Sequence, residues 1–417
     1  MPEYLRIEEP TRAKATAPQW RAFLELAFRP LYLGGCLWAA VSIALWVFAP
    51  SWLNGPLPGV LWHAHEMLWG FIATIAIGFL LTAVGTWTGI NPLSGRPLGA
   101  LVALWVTARL AYLIPEPSAF WVGACSEVVF FVWAALAMGR CIYKTRNQRN
   151  YGVPLLVLGL GIIDALYLAA VWQGNYVLVM ERLSTGLLCM ALIALLVARR
   201  VIPFFAMRAM PGLQIPMLTH SGHWQLAACA LAVVFGLLSL PEAMAVSLAT
   251  AGILALVQTI SWKPWAVLHK PLLWILYIGY ASLGVGLTTA AAHAVGWVER
   301  AAWSVHVIGV AGFSVLIIGM VTRTALGHLG RPLQTDWRMV TAYILVITAA
   351  ILRLMALLPV GFATIALDLS AATWVLAFAL YLWHFFPMLI RPRLDAAAST
   401  PIVTSTVNAA LSQRTRQ

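Results

Sequence analysis

Between residues 31 and 390, long apolar runs alternate with short polar turns twelve times. The runs fall at 31–48, 62–87, 97–114, 118–143, 153–173, 176–199, 223–239, 242–262, 270–290, 302–325, 338–358 and 363–390. Each approaches or exceeds the roughly 20 residues that a helix needs to cross a bilayer. Lipid offers backbone groups no water to bond, so runs of this kind read as helices rather than strands. Residues 1–27 are polar and mixed in charge, without the apolar centre of a cleavable signal peptide. The pattern predicts an all-α, polytopic integral membrane protein of twelve transmembrane helices. Its expected divisions are a cytoplasmic tail at 1–27, a transmembrane domain at 28–393 and a flexible cytoplasmic tail at 394–417.

Composition agrees with the pattern. Hydrophobic residues make up 62% of the chain and charged residues 10%, whereas a soluble domain carries about a quarter charged. A net charge of +12 would suit a nucleic-acid partner, but the placement of the charges argues against one. Twenty-two of the 26 Lys and Arg residues lie in the tails and in every second turn. Only Arg300 lies in the alternate turns, while Arg109, Arg182 and Arg353 lie inside runs. Positive charge gathers on the cytoplasmic side, so both termini are expected there. The five cysteines stand singly and no CxxC occurs, which argues against zinc ribbons, thioredoxin-type sites and covalently attached c-type haem.

A histidine in a spanning helix is costly unless it has a partner, so each is a functional candidate. The topology puts His63, His65 and His306 near the outer side, and His220, His223 and His328 near the inner one. His269, His293 and His384 read as ordinary polar contacts. His63 and His65 sit in Trp62-His63-Ala64-His65-Glu66-Met67, two residues apart. On a helix that separation is about 200°, so the two rings face opposite ways and suit different partners. Met67, Gly70, Thr74, Gly78 and Thr82 are expected on the face of His63, a stripe that admits a neighbouring helix or a flat cofactor. Glu66 is a candidate to orient or deprotonate His63 and to donate a proton. His306 and His328 are about 33 Å apart along one helix and cannot share a metal. If His328 is a ligand it needs a second, inner site, completed by His220 or His223; otherwise it is part of a basic turn. Among the in-span charges, Glu66, Arg109, Glu127, Glu181, Arg182 and Arg353 read either as ion pairs between helices or, for the arginines, as groups that neutralise haem propionates. Asp164 lies mid-span, where it could serve a proton path.

FRPLYL (28–33), WHAHEMLWGF (62–71), RVIPFF (200–205) and MVTRTALGHLGRPL (320–333) resemble the signature blocks of the NnrS family, in order and over nearly the whole chain. One position departs: Leu276-Tyr277 stands where the family pattern has Leu-His. The resemblance implies a multi-pass protein of the bacterial cytoplasmic membrane, tied to nitric oxide metabolism and containing haem and copper. It implies His63, His65, His306 and His328 as candidate ligands. Three functions compete on these grounds. The first is a protein with b-type haem and copper that binds or reduces nitric oxide, fed by an unidentified electron donor. The second is a twelve-helix secondary transporter. The third is a non-enzymatic sensor or metal-handling protein.

Overall fold

The computed structural model describes residues 17–394, so the predicted tails lie largely outside the described residues. Twelve long helices build the described chain. They are α1 (Phe28–Phe48), α2 (Gly59–Thr88), α3 (Gly95–Ala111), α4 (Pro117–Lys144), α5 (Gly152–Trp172) and α6 (Tyr176–Ala209). After them come α7 (Thr219–Leu237), α8 (Pro241–Ser261), α9 (Pro271–Ala294), α10 (Ala301–His328), α11 (Trp337–Met355) and α12 (Ala363–Leu389). Ten are long and apolar enough to cross a membrane; the other two are α3, with 17 residues, and α7, with 19.

The helices end within four residues of the apolar runs except at α6. There the run stops at 199 but the helix continues through Pro203 to Ala209. Ala198, Arg199, Ile202, Pro203 and Ala206 keep the three-to-four-residue spacing of a buried stripe, so packing carries the helix past the end of its apolar stretch and past a proline. The stretch between the runs at 176–199 and 223–239 is therefore mostly helical, and His220 and His223 open α7.

Successive helices pack on one another, and α12 returns to close against α1. Both ends of the described chain lie on one side of the bundle. The Gln19 N–H donates to the Ile390 carbonyl, and Arg29, buried in α1, donates to the carbonyls of Leu389 and Arg391 at 3.0 and 2.6 Å. A cation there satisfies carbonyls left free at the end of α12 and sits at the negative end of its dipole. Trp374 of α12 donates to the Ala39 carbonyl of α1. Helices α8 and α9 pack closely: a Cβ on Gly252 would lie 2.6 Å from the Gly284 carbonyl oxygen. Small residues permit this approach, which supplies dispersion contact where lipid gives helices no hydrophobic reason to associate. Polar groups of the same region are paired: Tyr280 donates to Gln258, and Gln225 to the Ala251 carbonyl.

The central helix is α2, with 83% of its apolar stretch buried. It and α10 share a local departure from α geometry. A π-helical stretch follows His65 at Glu66–Ala73, and another follows His306 at Val307–Ser314. The two stretches lie against each other. Each closes on a hydroxyl bond to the carbonyl five residues back, from Thr74 to Trp69 at 3.1 Å and from Ser314 to Gly309 at 2.8 Å. These hydroxyls occupy carbonyls that the wider i→i+5 ladder leaves poorly bonded.

Candidate functional site

Helix α2 carries two different polar centres on its two sides. On one side, a cavity of about 440 Å³ lies between α1, α2, α6, α10, α11 and α12. His63, Met67, His306, Arg353 and Arg300 line it, among Ile43, Phe71, Leu187 and other apolar groups. The His63 ring stacks on Trp46, with centroids 5.2 Å apart and planes 12° apart. Its Nδ1 is buried and has no hydrogen-bond partner. The Nδ1 of His306 lies 2.7 Å from the Ala302 carbonyl, so Nδ1 carries the proton and Nε2 keeps its lone pair for a ligand. His63 and Arg353 both lie within electrostatic reach of His306.

On the other side, His65 is wholly buried in a network drawn from five helices. Its Nδ1 lies 3.0 Å from Glu66 Oε1, and its Nε2 lies 2.9 Å from Asp164 Oδ1 and 3.3 Å from Glu127 Oε2. Arg109 of α3 donates to Glu66 Oε2 at 2.6 Å and also to Glu127 Oε1. Trp38 of α1 donates to Glu66, and Tyr112, just past the end of α3, donates to Glu127 at 3.0 Å. Tyr167 of α5 lies alongside the imidazole at 5.7 Å and donates to the Leu61 carbonyl. Gly70 makes room for the ion pair, since a Cβ there would clash with Arg109 Nη1 and lie 2.6 Å from Glu66 Oε2.

The opposed faces expected of His63 and His65 are thus observed. The stripe expected beside His63 is not continuous. Met67 stays with the cavity, but Gly70 faces Arg109, while Gly78 and Thr82 pack on α1 at Leu31 and Phe28. The π-helical stretch inserts an extra residue per turn, so positions beyond it leave the 3.6-residue register. Glu66 turns to His65, Trp38 and Arg109 rather than to His63. Of the three arginines singled out, Arg353 lines the cavity, Arg109 bridges two carboxylates, and Arg182 is half-buried outside the lining.

At the other end of the bundle His328 lies against Phe28, at 5.5 Å between centroids, with Arg29 and Arg393 close by. His220 and His223 are exposed at the start of α7. Among the described residues these three form no converging donor group; the group of three that does converge is His65, Glu127 and Asp164, whose ligand atoms lie within 4.8 Å of one another. Tyr277, at the departing position, is buried and donates to the Trp262 carbonyl at 3.0 Å.

Fold and site together define a multi-pass helical membrane protein with a histidine-lined cavity beside a buried ionic network. The chain belongs to the NnrS family: the family model, described as NnrS protein, matches residues 22–393 of 417. Membership links it to nitric oxide metabolism. No curated protein matched the chain.

Proposed function

We propose that this protein holds b-type haem in the cavity of α2 and α10, works with copper, and binds or reduces nitric oxide. The carrying observation is that His63 and His306, 243 positions apart in the chain, line one cavity together with two arginines. The donor set fits the group. Two imidazoles suit iron, the aliphatic and aromatic walls suit a macrocycle, and Arg300 and Arg353 supply cations for its propionates. The volume lies in the range of cofactor pockets. With one of the two imidazoles as its ligand, bound iron would supply the redox chemistry and a coordination position for nitric oxide.

The chain's own residues set the conditions for that chemistry. The Ala302 carbonyl fixes the tautomer of His306, and Trp46 fixes the plane of His63. The apolar lining favours a small, weakly polar gas over water. Copper suits imidazole as well as iron does, so ligand type does not divide the histidines between the two metals. The test is the absorption spectrum of the purified protein. A Soret band is expected, and His63→Ala and His306→Ala should each abolish or shift it while the protein still inserts. An unchanged band in the doubly substituted protein would refute the assignment. Consumption of nitric oxide by reduced protein then separates an enzyme from a sensor.

A further inference from the structure

The network around His65 holds more acidic groups than fixed positive ones. It holds three carboxylates, Glu66, Glu127 and Asp164, against one arginine, and all are essentially inaccessible to water. With a neutral imidazole the cluster carries two uncompensated negative charges, a costly state in a low-dielectric interior. With a doubly protonated imidazole one still remains. Asp164 Oδ2 is buried without any hydrogen-bond partner. It is the orphan oxygen of the side chain whose other oxygen lies nearest His65 Nε2.

The contacts of His65 sharpen the point. Glu66 Oε1 beside Nδ1 favours a proton on that nitrogen, as when a carboxylate orients a metal-bound histidine. The lone pair of Nε2 then faces two carboxylate oxygens at 2.9 and 3.3 Å, acceptor against acceptors. A cation between them, a proton or a metal ion, would relieve that repulsion. Metal–ligand bonds of about 2.0–2.2 Å put neighbouring donors about 3 Å apart, which matches these separations.

We propose that His65, Glu127 and Asp164 form a site for a divalent first-row cation on the side of α2 opposite the cavity, with Glu66 and Arg109 as positioning residues. The charge of such an ion equals the deficit, and a second Asp164 oxygen is there to ligate it. One nitrogen with carboxylate oxygens suits Mn²⁺ or Fe²⁺ better than a thiolate-seeking metal. This site is independent of the haem assignment.

The test is the metal content of the full-length protein purified from cells supplied with Mn²⁺. About one Mn²⁺ per chain is expected, falling at least tenfold in Asp164→Asn and in Glu127→Gln and unchanged in His63→Ala. Trp38→Phe, which removes a hydrogen bond to Glu66 but no ligand, should keep the metal. Electron–nuclear double resonance on the unaltered protein should show one directly bound nitrogen, a readout that needs no variant. Absence of stoichiometric metal, or of that nitrogen coupling, would overturn the proposal and leave a network neutralised by protons. Failure of the haem reading would appear separately, as a Soret band indifferent to His63 and His306.

Discussion

Arg109 is the residue on which the buried network turns, since among the described residues it alone supplies fixed positive charge to Glu66 and Glu127. Arg109→Ala should strand two carboxylates in the interior and cost about 3–5 kcal/mol, the range for a buried pair broken from one side. Thermal unfolding in detergent would show it as a large drop in midpoint. Arg109→Lys should restore little, because a single ammonium cannot span two carboxylates as the guanidinium fork does. A lysine variant as stable as the parent would mean that charge, not geometry, holds the site. Much of this chemistry was legible residue by residue: the opposed faces of His63 and His65 follow from helical angle, and an in-span acid demands a partner. The identity of the partners was not legible. Glu127 and Asp164 reach His65 through the packing of α4 and α5 on α2, and no local spacing encodes that meeting.

At the scale of elements, the π-helical stretches of α2 and α10 set where the histidines point relative to the rest of their helices. Deleting Ala73 should return α2 to α geometry and turn the His63 end by roughly 100° against Thr74–Thr88. The protein should still reach the membrane, while the haem spectrum weakens or vanishes. A normal spectrum would show that the widened turn is incidental to the cavity. Neither stretch was legible in the apolar pattern, because an i→i+5 ladder carries the same residues as an α-helix. The extension of α6 escaped for a related reason: hydropathy fell at Arg199 and Arg200, but the buried stripe went on.

Across the whole molecule, the helices were legible nearly to their ends, since twelve apolar runs map onto twelve long helices. Sidedness rests on charge alone. Reporter fusions near residues 56 and 298 should read as external, and fusions near 146 and 330 as cytoplasmic. That pattern requires α3 and α7 to cross as well, and at about 25–29 Å they come close to the hydrocarbon thickness. An external signal from a fusion near 146 would invert the arrangement.

The closure of α12 on α1 has a temporal side. About 300 residues separate these helices, so at roughly 5–20 residues per second the ribosome delivers the second on the order of 15–60 s after the first. Leu367, Ser370, Ala371 and Trp374 of α12 form part of the cavity wall. During that interval the histidines of α2 and, later, α10 are already in the nascent bundle while one wall is missing. On the proposed haem reading, a bulky prosthetic group would meet an open side of the cavity during biogenesis that α12 later covers.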